Sequence, residues 1–194
     1  MDWSIILSSC IVAATTIGSL FLKEYLQYQK NKKNTSVTKY TQQNTNVEKA
    51  IRYALDQLDA DRVYVYEFHN GESFYSGAHQ QKFSCTYESL KAGVSSEALT
   101  LQDLRVSTFN KFVSGVVNDK GFHTADVSKV QDSLLKNWFE RRGIASSFAF
   151  PVITLNKNII GIISIDFTKN KDKLTEEEKC FIIQQSKIIG GYLI

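Results

Sequence analysis

The sequence predicts an α+β domain carried behind a single membrane-spanning helix. Three observations predict it. Residues 3–22 form an apolar run without a charge, both ends of the remaining chain carry apolar residues at helical spacing, and residues 145–167 form a nearly all-apolar strand hairpin.

The first run, WSIILSSCIVAATTIGSLFL from Trp3 to Leu22, lies between Asp2 and Lys23-Glu24. A helix needs roughly 20 predominantly apolar residues to cross a bilayer core of about 30 Å, and the run has that length. A cleavable signal should begin with basic residues and end at a small-residue site, and here Met1-Asp2 precede the run and no A-x-A site follows it. A buried core helix is the other alternative, because Ser4, Ser8, Ser9, Thr15, Thr16 and Ser19 dilute the apolar character. Hydroxyls that bond across helices are nonetheless tolerated in membranes. Lys23, Lys30, Lys32 and Lys33 all follow the run and no basic residue precedes it. By the positive-inside rule the N-terminus faces outward and the C-terminal domain faces the cytoplasm, at an inner or plasma membrane.

Charge is unevenly distributed. From Lys23 to Thr45 five lysines stand against Glu24, and with Asp2 set aside the chain from Asn46 onward has 18 basic and 18 acidic residues. A neutral globular part argues against a nucleic-acid surface, so no nucleic-acid partner is expected. Cys10, Cys85 and Cys180 form no metal or disulfide framework, which suits a reducing compartment, and neither a metal nor a cofactor is expected. The domain organisation expected is therefore a transmembrane helix at 1–24, a polar basic linker at 25–45 and a folded domain at 46–194. The linker's Asn, Thr, Gln and Lys content cannot bury surface, which predicts a flexible tether after Asn31.

Asn46 is a plausible N-cap, and Val47, Ala50, Ile51, Ala54, Leu55 and Leu58 recur at helical spacing, predicting a helix over 46–59. RVYVYEFH at 62–69 reads as a strand with both parities apolar, hence covered on both faces and central in its sheet. Asn70-Gly71 is a turn signal. Residues 80–89 alternate with Phe83, Cys85 and Tyr87 on one side, a second strand near an edge. Helical patches follow at 101–104, 108–117 and 130–141, with a short strand or turn at 121–124, and Gly143 is a natural C′ residue. Strands at 145–155 and 159–167 are joined through Asn156-Lys157-Asn158, with Pro151 expected at a bulge or unbonded position. Thr175 caps the last helix and Glu178 completes a capping box, with Phe181, Ile182, Gln185, Ile188, Ile189 and Tyr192 as its apolar stripe.

The helix at 46–59 leading into RVYVYEFHNG (62–71), the pair ASSFAFPVITLNKNIIGIISIDF (145–167) and LTEEEKCFIIQQSKIIGGYLI (174–194) together resemble a GAF domain over residues 46–194. That resemblance implies a GAF-like antiparallel sheet of six strands. It places the N- and C-terminal helices on one face and a ligand pocket on the other, beneath the middle helices. It also implies departures. Asn110-Lys111-Phe112 begins like the cyclic-nucleotide motif, but no Asp-Glu dipeptide occurs, and Cys85 lacks the surroundings of a bilin-attachment cysteine.

The candidate ligand-binding residues are Tyr66, Phe68, His69, Asn70, Tyr75, Cys85 and Tyr87, grouped around the end of the first strand and its aromatic loop. Two readings stand for His69 and Asn70: they hold a small molecule at the pocket mouth, or His69 satisfies a buried group while Asn70-Gly71 makes the turn. Asp166 lies in an apolar strand and needs Arg141, Arg142 or a ligand as partner. No Ser-His-acid or Cys-His arrangement supports nucleophilic catalysis, so no enzyme is expected. The function expected is a membrane-anchored, non-catalytic sensory or protein-interaction module, with a small-molecule ligand and a homodimer or protein partner as candidates. The alternative is a phage-type lysis, host-takeover or virion protein using the fold as a scaffold.

Overall fold

The computed structural model describes residues 18–19, 21–26, 37–73 and 79–194. The chain divides into two units, residues 1–42 and 43–194. In the first, residues 21–26 are helical, with Phe21, Leu22, Tyr25 and Leu26 exposed. Among the described residues no helix is long and apolar enough to cross a membrane. Most of the predicted span at 3–22 lies outside the described residues, as does much of the linker.

Helix α1 spans Val37–Leu58. It begins nine residues before the predicted Asn46 cap, so the second part of the expected tether is helical. Starting a helix is its costly step and extending one is cheap. Val47, Ala50, Ile51, Ala54, Leu55 and Leu58 are buried and anchor the helix, and neither Pro nor Gly interrupts residues 37–46. Asn44 Oδ1 also accepts a 2.5 Å hydrogen bond from the Tyr87 hydroxyl.

The second unit contains β1 (Arg62–Ser73), β2 (His79–Leu90), β3 (Leu104–Arg105), α2 (Asn110–Asn118), β4 (Phe122–Thr124), α3 (Ser133–Glu140), β5 (Ser146–Ile153), β6 (Ile159–Phe167) and α4 (Glu176–Tyr192). The six strands pair in the order β3-β2-β1-β6-β5-β4, antiparallel throughout. The two strands with apolar residues of both parities, β1 and β6, are the central pair, as double-sided coverage requires. On one face Val63, Val65, Ile163 and Ile165 pack with α1 and with Ile182 and Ile189 of α4. On the other, Tyr64, Tyr66, Phe83 and Ile162 pack with Phe112 and Val116 of α2 and Phe139 of α3. Thr175 and Glu178 form the predicted capping box.

Several local expectations are corrected. Asn70-Gly71 is not the end of the strand: Asn70 pairs with Gln81 and β1 runs on to Ser73, which pairs with His79, and residues 74–78 lie outside the described residues. Side-chain alternation in β2 breaks at a bulge, because Val65 pairs with Tyr87 but Tyr66 pairs with Cys85. The extra residue, Thr86, sends Tyr87 to the α1 face while Phe83 and Cys85 stay on the other. The predicted helical patch at 101–104 is instead a turn closing on Glu97 and Ala98, followed by β3. The predicted helix at 130–141 shortens to α3, since Asp132 accepts from the Leu135 N–H and starts the helix there, and a separate 3₁₀ turn, Val127–Lys129, precedes it. Pro151 lies beyond β4, which ends opposite Ala149, where β5 has a paired neighbour on one side only.

α4 reaches the sheet through a glycine. A Cβ on Gly190 would lie 2.2 Å from the Ile153 carbonyl oxygen, whereas one on Gly191 would meet nothing within 4 Å. Gly190→Ala is expected to lower stability by about 1–3 kcal/mol through overpacking against backbone. Gly191→Ala should leave the melting temperature unchanged or raise it, since alanine favours a helix by up to about 1 kcal/mol over glycine. Equal effects of the two substitutions in thermal melts would contradict this packing.

Candidate functional site

The sheet face beneath α2 and α3 carries ionic groups in a place otherwise filled by aromatic rings. Register puts them there: Arg62 on β1 stands opposite Asp166 on β6, which stands opposite Ser147 on β5. The next row on that face is Tyr64, Ser164 and Ala149. Asp166 Oδ1 accepts hydrogen bonds from Ser147 Oγ (2.6 Å) and Ser164 Oγ (2.8 Å).

Two further elements complete the cluster. Arg142 leaves the end of α3, where its Nε donates to the Trp138 carbonyl (3.2 Å) and its guanidinium stacks 3.7 Å from the Trp138 ring centre. Its Nη1 lies 3.4 Å from the Tyr66 hydroxyl. Its carbonyl accepts a short hydrogen bond from Arg62 Nη1. Gly143, at φ +65°, then allows the chain to turn toward β5, a left-handed conformation that glycine adopts without a Cβ penalty. The other element is the connection between β2 and β3, which brings Glu97 to within 3.7 Å of Arg62 Nη2 and 3.9 Å of Arg142 Nε. Tyr64 donates toward Glu97 Oε2 at 3.4 Å.

The cluster is incompletely satisfied. Arg62 Nε, Arg142 Nη2 and Asp166 Oδ2 are buried without a hydrogen-bond partner among the described residues. Arg142 Nη2 and Asp166 Oδ2 face each other at 3.9 Å, within ion-pair reach but beyond hydrogen-bond reach. A buried polar atom left without a partner costs about 1–3 kcal/mol, more when charged, so the cluster as it stands is costly to the fold. A cleft of about 440 Å³ opens beside Arg142, lined also by Thr100, Leu101, Thr108, Phe109, Leu134, Trp138 and Arg141. A groove of about 580 Å³ between α1 and β2 is larger, but its walls are mainly solvated charges such as Glu48, Lys49 and Asp56, with no buried ionic group converging on it.

Burial raises the Asp166 carboxyl above its ordinary value of 3.8, and the Arg142 guanidinium and the two serine hydroxyls only partly offset this. Burial likewise raises Glu97 above 4.5, against the pull of Arg62 and Arg142. The folded chain therefore holds more protons than the unfolded chain between the unfolded and folded values. Stability from these groups is fully present below about pH 4 and is lost as pH rises through their folded-state values. Wild type should lose more stability than Asp166→Asn as pH rises from about 4 toward 8. Parallel stability curves from urea titrations would contradict this.

The residues singled out from sequence are spread along the β1–β2 hairpin. Tyr66 belongs to the cluster, and Cys85 lies on the same face with its Sγ donating to the Tyr87 carbonyl. Burial pushes the Cys85 thiol up to about 12, so it is not held as a reactive thiolate. Phe68 packs edge-on to Phe83. His69 Nε2 bonds Ser84 Oγ at 2.9 Å, and that oxygen also accepts the Asp103 N–H, so His69 helps to pin the connection to the hairpin. Asn70 accepts from Gln81 at an exposed position. Tyr87 lies on the opposite face, and Tyr75 lies outside the described residues. Asp166 was legible as needing Arg141, Arg142 or a ligand, and the structure places Arg142 against it. Arg62, Tyr64, Glu97, Ser147 and Ser164 were missed; the one sequence signal for them was the two serines interrupting an otherwise apolar hairpin.

Comparison with known proteins agrees with this architecture. The chain is similar in fold to the blue-light absorbing form of the PixJ GAF domain of Thermosynechococcus elongatus, with a TM-score of 0.65 and 13% identity, covering 80% of this chain and 87% of that one. It is similar also to the photoproduct state of GAF3 from Slr1393 of Synechocystis sp. PCC6803, with a TM-score of 0.60 and 14% identity over 76% and 90% of the two chains. A phycocyanobilin-bound GAF domain from a cyanobacterial phytochrome matches with a TM-score of 0.54 and 18% identity over 73% and 80%. No curated protein sequence matches the chain. The GAF domain model matches residues 44–187, three-quarters of the sequence and all six strands, and the chain belongs to the GAF domain family.

Proposed function

We propose that this protein is a membrane-anchored, non-catalytic GAF sensory module whose domain faces the cytoplasm and binds a small molecule in the cleft beside Arg142. The observation that carries this reading is that Arg142, whose Nη2 is buried without a hydrogen-bond partner and faces the equally unpartnered Asp166 Oδ2, lines that cleft. A cluster kept for stability alone would be expected to satisfy its own hydrogen bonds, since buried ion pairs rarely exceed an apolar replacement in stability. Anchoring is supported by the uncharged run at 3–22, and the orientation by the lysines that follow it. Bilin attachment is not part of the proposal, because Cys85 is buried with its thiol held protonated and Cys180 lies exposed on α4. Occupancy would be reported to a second copy or a protein partner, and Tyr53 on α1 and Ile183 on α4 remain exposed for such a contact.

The full-length protein, extracted in detergent from membranes, would be examined by native mass spectrometry. A reproducible non-covalent small molecule, lost from Arg142→Met, is the expected result. Release of the protein from membranes by alkaline carbonate would count against anchoring, and absence of any retained molecule would count against sensing.

A further inference from the structure

Resting on that reading of the cleft, we infer that Glu97 occupies the place of a ligand carboxylate, and that the ligand is a small, flat, largely apolar carboxylate which displaces the Glu97 side chain. Glu97 is held loosely. Its ion pairs measure 3.7 and 3.9 Å and its contact with Tyr64 3.4 Å. Charge-assisted N–H···O⁻ bonds close to about 2.7–2.9 Å when geometry permits. Glu97 is also the exchangeable member of the cluster: its side chain is 19% exposed, against 8% and 7% for Arg62 and Arg142.

Chain connectivity permits the exchange. Residues 94–97 have no regular secondary structure and 98–100 form one turn, so withdrawing Glu97 breaks neither a helix nor a strand ladder. What holds the segment is polar around Glu97 and apolar at Leu101. Glu88 accepts from the Ser96 hydroxyl and the Glu97 N–H, and Gln102 donates to the Cys85 and Ala98 carbonyls. Leu101 is buried in the core with its carbonyl accepting from the Cys85 N–H, so Leu101 stays in place while the Glu97 side chain swings out. Leu101 and Thr100, one turn after Glu97, are a wall of the cleft, so a molecule that enters pushes on the segment carrying the competing carboxylate.

The chemistry of the ligand follows from what it must replace and what it must touch. Removing Glu97 without a substitute leaves two buried guanidiniums against Asp166 alone, which an incoming carboxylate corrects and a neutral or cationic molecule does not. In Glu97's place a carboxylate meets Arg62 Nη2 and Arg142 Nε, and the Arg62 Nε beside the first is a further donor without a partner. The cleft walls are Leu101, Phe109, Leu134 and Trp138, against which a flat apolar body packs, with Thr100, Thr108 and Arg141 also lining it.

The test uses the full chain in detergent with Trp3→Phe, which leaves Trp138 as the sole tryptophan. Benzoate is titrated against benzamide and inorganic phosphate at constant ionic strength while Trp138 emission is followed with excitation at about 295 nm. Saturable binding of benzoate, about tenfold weaker binding of the amide and of phosphate, and about tenfold tighter carboxylate binding in Glu97→Gln are expected; Arg142→Lys should weaken it. Equal affinity for benzoate and benzamide, or unchanged affinity in Glu97→Gln, overturns the inference. If no carboxylate binds either protein while native mass spectrometry shows another molecule retained, this inference falls and the sensing reading stands. If nothing is retained and nothing binds, both fall.

Discussion

Arg142→Met is expected to lower folding stability by about 3–5 kcal/mol, the cost of leaving a buried ionic partner uncompensated. Asp166 is the partner that suffers: it is buried, its Oδ2 faces Arg142 Nη2, and its other oxygen is already committed to Ser147 and Ser164. Methionine conserves much of the packing against Trp138, so the loss reports charge and hydrogen bonding more than volume. Adding Asp166→Asn to Arg142→Met should restore most of the stability, because the pair is then removed together. Urea denaturation of the two variants checks this. A single-variant loss below about 1 kcal/mol would show that solvent reaches the cluster and screens it.

Phe112→Ala is the second large effect, expected to cost about 3–5 kcal/mol as lost transfer energy plus a cavity. Phe112 is fully buried on α2, and its ring centre lies 5.1 Å from Phe122, 5.6 Å from Trp138, 6.3 Å from Phe139 and 6.4 Å from Phe83. Those four rings come from two strands and α3, so no single element can relax into the space. Leu134→Ala on the neighbouring helix should cost far less, because Leu134 is 44% exposed. Comparable losses for the two variants would mean that α2 and α3 collapse freely over the sheet, and the cleft beside Arg142 would then have no fixed shape.

Much of this architecture was legible from periodicity. Val47 to Leu58 announced α1, the doubly apolar strands announced the sheet centre, and Thr175 with Glu178 announced α4. Two failures share a physical origin, a partner distant in sequence, whereas the Asp132 cap and the turn closing on Glu97 and Ala98 are local. Nothing local predicts that α1 begins at Val37, because Asn44 is tied down by Tyr87, 43 residues later. The bulge at Thr86 is invisible in an alternating pattern, yet it moves Tyr87 to the opposite face. The site was half legible for the same reason. Asp166 in an apolar strand is conspicuous, whereas Glu97 and Arg62 look like ordinary solvated charges until register and the β2–β3 connection bring them together.

The direct test of whether the ionic cluster exists for binding is the paired variant Arg142→Met/Asp166→Asn in the full-length protein. A buried ion pair removed as a unit is often close to neutral for folding, so the variant should remain within about 2 kcal/mol of wild type. Native mass spectrometry should then show a folded protein that no longer retains the small molecule bound by wild type. Retention at wild-type occupancy would contradict the account and return the cluster to a structural role.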